Sequence, residues 1–266
     1  MLIAMGCNPM LTLILVFRAD AVYDLHDHET VRKEKYLELW GLGWRVVEVE
    51  RQPNYALEYP KKLAMAVFVK GDLAVLALKG TTKKGASDWH LNLTSIVSGY
   101  PPCGPLEEAA RLVKKYKDQK KRVMVTGHSL GGYMAEVVAT NLEISGVGFC
   151  APGSGWHAGK PHSGFQNINF LHDVAGNVAA AIYRHPQWSV YVEDSGPLPC
   201  HSMAYMVMCM ENPERKGWTN QNVVSNCKSE PTSGAGGATG ALIKIAGIAS
   251  GFYTNCNTAG RPASPV

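Results

Sequence analysis

No two of the seven cysteines are spaced as C-x-x-C, which argues against a zinc-ribbon or thioredoxin-like motif. The number is also odd, so Cys7, Cys103, Cys150, Cys200, Cys209, Cys227 and Cys256 cannot all pair within one chain. Cys150 lies in an apolar run and reads as a buried thiol. Cys103, Cys200, Cys227 and Cys256 lie in Pro-, Gly- or Asn-rich loops that suit the disulfides of a secreted protein. The compartment stays open between secreted and cytoplasmic. Long apolar runs are scarce too. The first 17 residues are mostly apolar, yet no Lys or Arg precedes them and Pro9 interrupts them. With Ala19-Asp20-Ala21 behind, residues 1–21 read either as a cleavable leader or as a buried segment. Gly234–Tyr253 is rich in Gly and Ala and carries Lys244, so no transmembrane helix is expected there. A strong charge of one sign is missing as well. The net charge of +4 is spread along the chain, which argues against a nucleic-acid partner. Its densest basic run, Lys114, Lys115, Lys117, Lys120, Lys121 and Arg122, reads as a solvated helix face.

What is present suits one α/β domain over residues 1–266. Of the 266 residues, 46% are apolar and 18% charged, enough for a core that needs no metal or disulfide. Residues 29–40 carry an apolar stripe of Val31, Tyr36, Leu37 and Trp40, the pattern of an amphipathic helix. Strands are expected at 44–50, 64–70 and 73–78, with a tight turn at Gly71-Asp72. A helix over 106–116, a strand over 122–125 and a helix over 130–142 follow. Further strands are expected at 147–150 and 168–171. This alternation argues for a mainly parallel sheet with helices on both faces. Residues from about 225 to 266 are rich in Ser, Gly, Thr and Pro, and have no assigned role.

The sharpest local signal is Gly127-His128-Ser129-Leu130-Gly131, followed by Gly132. The G-x-S-x-G pattern alone is weak, but here a strand precedes it and a helix follows it directly. Such a turn strains the serine and lifts its hydroxyl above the sheet. It also leaves the Leu130 N–H, at the helix start, beside the hydroxyl. A serine needs a base to take its proton and an acid to orient that base. On this fold the chain order is serine, acid, histidine. His26, His28, His90 and His128 come before the serine; His157 and His162 come before the best acid. His201 is the preferred base, with His185 the alternative. Asp173 ends an apolar strand, where a site on a parallel sheet converges, and is the preferred acid over Glu193 and Asp194. His172 reads as packing or solvent-facing.

The ordered motifs resemble the class 3 lipases, the fungal-lipase-like branch of the α/β-hydrolases. Lys79-Gly80-Thr81-Thr82, with Asp88-Trp89 and Asn92-Leu93, is similar to the family's G-T/S block and D/N-W segment. Ser98-Gly99-Tyr100 resembles its small-Gly-aromatic step, Gly148–Gly153 its F-G-x-P segment, and Phe170–Val174 its acid segment. His201 with Tyr205 resembles its H-x-x-x-Y ending. The resemblance covers roughly residues 60–205. It implies an α/β-hydrolase fold with Ser129 as nucleophile, Asp173 as acid and His201 as base. Thr81 and Leu130 would form the oxyanion hole. The segment after Thr81, with Lys83, Lys84 and Trp89, would be a lid touching lipid surfaces transiently. The Asp173-to-His201 interval is shorter than in the fungal enzymes, and the Lys83–Ser87 stretch is polar where a triglyceride lipase would be greasy. The expected activity is carboxylic-ester hydrolysis on a lipid or acyl-ester substrate, with no cofactor or metal. An acyltransferase, a phospholipase A1-like hydrolase and a non-catalytic lipid-binding module are the alternatives.

Overall fold

A computed structural model describes residues 9–27, 36–50, 64–80, 103–153, 164–170, 173, 188–192, 201–211 and 223–225. Among the described residues, eight strands form one sheet in simple sequence order. They are β1 (Arg45–Glu50), β2 (Met65–Lys70), β3 (Leu73–Leu78), β4 (Arg122–His128), β5 (Ser145–Phe149), β6 (Phe165–Phe170), β7 (Trp188–Val192) and β8 (Val223–Ser225). The pairings from β3 to β7 are parallel; β1–β2, β2–β3 and β7–β8 are antiparallel. The sheet is therefore parallel at its centre, with antiparallel strands at both edges. The Gly71-Asp72 turn joins β2 to β3, and Gly71 adopts the left-handed φ of 59°.

Two core layers flank the sheet. Leu73, Val75 and Ala77 of β3 face one side, and Ala74, Leu76 and Leu78 face the other. Every residue of β3 is buried, as expected of a strand covered on both faces. On the first face lie α1 (Pro9–Asp27) and α4 (Met203–Glu211), with Leu15, Val16, Val22 and Met206 fully buried. On the second lie α2 (Cys103–Asp118) and α3 (Leu130–Leu142), with Leu112, Tyr133 and Met134 buried.

Residues 9–21, read from sequence as leader or buried segment, thus begin a helix packed into the core. Pro9 opens it, a position where a missing N–H costs nothing. The Thr126 hydroxyl, on β4, lies 2.9 Å from the Val147 carbonyl and 3.3 Å from that of Leu15, linking helix and sheet. Arg18 of α1 is buried with its guanidinium 4.4 Å from the Trp44 ring centre. Burial lowers its pKa to about 10. Among the described residues no helix is long and apolar enough to cross a membrane.

Several expected boundaries move. Cys103 opens α2 rather than lying in a loop. The helix over 29–40 is described only at 36–41, and β4 runs on through Gly127 to His128. β6 begins at Phe165, and β7 was not anticipated. Cys150 and Cys209 are buried thiols.

Leu76 has 1% exposure and Leu37 66%. Leu76→Ala should lower unfolding free energy by about 2–5 kcal/mol through lost burial and a residual cavity. Leu37→Ala should change it by no more than about 0.5 kcal/mol. Paired denaturant titrations measure both; equal losses would contradict the described packing.

Candidate active site

The site grows from the turn between β4 and α3. Ser129 sits there at φ 58°, ψ −126°, a conformation that L-residues rarely hold. Its N–H donates to the Phe149 carbonyl at 3.0 Å, and its own carbonyl accepts from Tyr133 N–H at 3.0 Å. Both ends of the strained residue are thus tied, one to β5 and one to α3. The glycines explain why the turn closes. A Cβ on Gly127 would come within 2.3 Å of the Gly131 carbonyl oxygen, and one on Gly131 within 2.1 Å of that of Leu78. Leu130 is the first residue of α3, so its N–H has no intrahelical acceptor.

His201 and Asp173 reach the serine from later elements. Asp173 follows β6 and is fully buried, with its N–H donating to Phe170 at 3.1 Å. The His201 Nδ1–H donates to the Asp173 carboxylate, at 2.9 Å to Oδ2 and 3.1 Å to Oδ1. The Ser129 hydroxyl lies 2.8 Å from His201 Nε2 and donates to it. Nucleophile, base and acid candidates therefore form one hydrogen-bonded chain. His201 precedes α4, whose start is capped by the Ser202 hydroxyl accepting from Tyr205 N–H at 3.4 Å. The Tyr205 ring packs 5.3 Å from that of Phe170, on the strand that delivers Asp173. This contact explains the H-x-x-x-Y spacing, because the tyrosine holds the histidine's helix against the acid's strand. The His201 side chain is 29% exposed, and Asp173 lies beneath it.

Four neighbours, Tyr23, Gly80, His128 and Cys150, adjoin the site without having been assigned to it from sequence. His128, set aside as a base by chain order, is buried directly beside the serine. Its Nδ1 is 2.9 Å from the Tyr23 hydroxyl of α1, and its ring centre is 4.7 Å from that of His201. Burial first, then the neighbouring His201, lowers its pKa to about 3, so it is neutral near neutral pH. Gly80 packs its Cα against the site: a Cβ there would lie 2.3 Å from the His128 carbonyl oxygen and 3.1 Å from the Ser129 Cβ. The chain entering Thr81 thus passes beside the nucleophile. Cys150, at the end of β5, is fully buried at a left-handed φ of 48°. It stands where the F-G-x-P pattern has glycine. The strand-end turn of β5 could have flagged it; nothing local marks Tyr23. Thr81, Lys83, Lys84, Trp89, His172, His185, Glu193 and Asp194 lie outside the described residues.

Residues 103–185 match the protein-family model Lipase (class 3). The matched segment is under a third of the chain. It runs from α2 through the elbow to beyond Asp173, while Gly80 and His201 lie outside it. No curated protein sequence matches the chain. Solved structures that align with the chain include the lipase of Rhizopus microsporus var. chinensis, at 15% identity and TM-score 0.43, covering 69% of this chain and 73% of that one. Lipase II of Rhizopus niveus aligns at 13% identity and TM-score 0.47, over 69% of this chain and 81% of its own. Rhizomucor miehei lipase in its propeptide complex aligns at 15% identity and TM-score 0.45, over 71% and 69%. The class 3 lipase match supports a lipase-type hydrolase.

The buried neutral His128 makes stability depend on pH. Its folded pKa lies below the ordinary 6.5, so the unfolded chain binds more protons between about pH 6.5 and 3. Its contribution is complete above pH 6.5 and is lost as pH falls through that window, by up to about 1.4 kcal/mol per unit. His128→Asn keeps a partner for Tyr23 and does not titrate. Denaturant titrations from pH 7 to 4 should give a shallower stability loss for the variant; parallel curves would contradict the neutral buried imidazole.

Proposed function

We propose that the protein is a serine carboxylic-ester hydrolase acting through an acyl-enzyme, with a lipid or related acyl ester as substrate. The hydrogen-bonded chain from Asp173 through His201 to Ser129 carries this reading. In the proposed cycle the Ser129 oxygen attacks the ester carbonyl carbon while His201 Nε2 takes the hydroxyl proton. Asp173 keeps Nδ1 protonated and stabilises the imidazolium that forms. The carbonyl oxygen becomes an oxyanion held by the N–H groups of Leu130 and Thr81. The close passage of Gly80 beside Ser129 supports Thr81 in that role. Losing one such donor typically costs about 10²–10³ in rate. His201 then gives its proton to the leaving alcohol, and water repeats the sequence on the acyl-enzyme to release the acid. Lys83, Lys84 and Trp89 form the proposed lid, where cationic side chains would favour anionic lipid surfaces.

Steady-state hydrolysis of a short soluble p-nitrophenyl ester tests the assignment. Ser129→Ala should lower kcat by about 10⁴–10⁶-fold with an unchanged melting temperature. Asp173→Asn should cost about 10⁴-fold, because it presents the wrong histidine tautomer. Glu193→Gln and Asp194→Asn should each cost less than about tenfold. A loss in either as large as that in Asp173→Asn would overturn the choice of acid.

A further inference from the structure

His128, Cys150 and His201 can each offer one ligand atom to a metal, and these atoms lie within 4.8 Å of one another. We propose that these three residues form an inhibitory binding site for a borderline-soft cation of the zinc class, which takes His201 away from Ser129. The inhibitory role rests on the ester-hydrolase reading; the binding site does not.

The donor set is the first argument. Two imidazole nitrogens and one thiolate suit zinc, and hard cations such as magnesium prefer oxygen. Distance is the second. Tetrahedral zinc, with nitrogen at about 2.0–2.1 Å and sulfur at about 2.3 Å, holds its ligand atoms about 3.5 Å apart. The three atoms would close on the ion by about 1 Å, within the range of side-chain rotation. Third, the neighbours hold both imidazoles as metal ligands are usually held. Metal-bound histidines commonly give their second nitrogen to a carboxylate or another polar group. Asp173 already accepts from His201 Nδ1, and Tyr23 already engages His128 Nδ1. In both rings Nε2 is the atom left to ligate. His128 Nε2 is buried and has no hydrogen-bond partner among the described residues. A buried ring nitrogen without a partner is unusual, and a metal would satisfy it.

Cys150 is the fourth argument. Its left-handed φ suits glycine better, yet a thiol stands there beside two histidines. The partly exposed His201 provides the way in. On binding, the cation replaces the thiol proton, which leaves to solvent, and the Ser129-to-His201 hydrogen bond breaks. No electron moves. With Nε2 occupied by the metal, His201 cannot accept the serine proton.

The test uses the full chain with two probes. Cobalt(II) should give a thiolate charge-transfer band in the near ultraviolet, saturating at one ion per chain. Zinc should inhibit hydrolysis of a soluble ester, EDTA should reverse it, and magnesium should not inhibit. Cys150→Gly fits the left-handed backbone and leaves Ser129, His201 and Asp173 themselves unaltered. It should abolish the band, and raise the half-inhibiting zinc concentration at least about tenfold, since even the outer groups around a metal are worth 10–100-fold in affinity. Its metal-free kcat/KM should stay within about twofold of wild type. Cys150→Ala repeats the test if the glycine variant folds poorly. Absence of the band, or unchanged zinc sensitivity in a folded Cys150 variant, overturns the site. A band with undiminished hydrolysis overturns the inhibitory role. Failure of the metal-free enzyme to cleave any ester would contradict the hydrolase reading, while the cobalt spectrum still decides the site.

Discussion

A serine held at φ 58° between a strand and a helix persists only where its surroundings leave no softer conformation. Here the N–H of Ser129 is bound to β5 and its carbonyl to α3, so relaxation would break a hydrogen bond on either side. Gly127 and Gly131 let β4, α3 and the end of β3 come together at distances that any Cβ would forbid. The parallel centre of the sheet follows the same geometry. β3, β4, β5 and β6 all end at the edge where Gly80, Ser129, Cys150 and Asp173 gather. Packed layers on both sheet faces hold the strained turn in place.

Among the described residues, the polar groups around that serine are mutually arranged and, His201 apart, buried. Asp173 is beneath His201, and His128 is beneath the serine with Tyr23 behind it. Burial keeps His128 neutral, so it adds no positive charge beside His201 near neutral pH. A carboxylate that presents one imidazole nitrogen for proton transfer presents the same nitrogen to a metal. The proposed sensitivity to zinc is therefore a consequence of how the histidine is oriented, once Cys150 supplies sulfur nearby.

The elbow was legible because its information is local: strand, glycines, serine and helix occupy one stretch, and each has a steric reason. That Asp173 and His201 meet at Ser129 was foreshadowed by chain order and by the apolar strand before the acid. α1 was ambiguous for a physical reason. A helix buried on several sides lacks the single apolar stripe that marks an amphipathic helix, and its composition imitates a leader. The partnership of Tyr23 with His128 spans 105 positions, and no spacing rule reaches so far. β8 has three residues and β7 five, lengths at which apolar alternation scarcely differs from chance. Cys150 was legible as a buried thiol but not as a neighbour of two histidines, because sheet pairing makes that neighbourhood.

A small fluorophosphonate reacts with a serine only when its hydroxyl is activated and its oxyanion supported, which is the condition this account assigns to one residue. Labelling the folded protein and mapping the modified peptide by mass spectrometry should find one adduct, on Ser129. The adduct should disappear on unfolding and be strongly reduced in His201→Ala. An adduct on another serine, or equal labelling of folded and unfolded chain, would contradict the account.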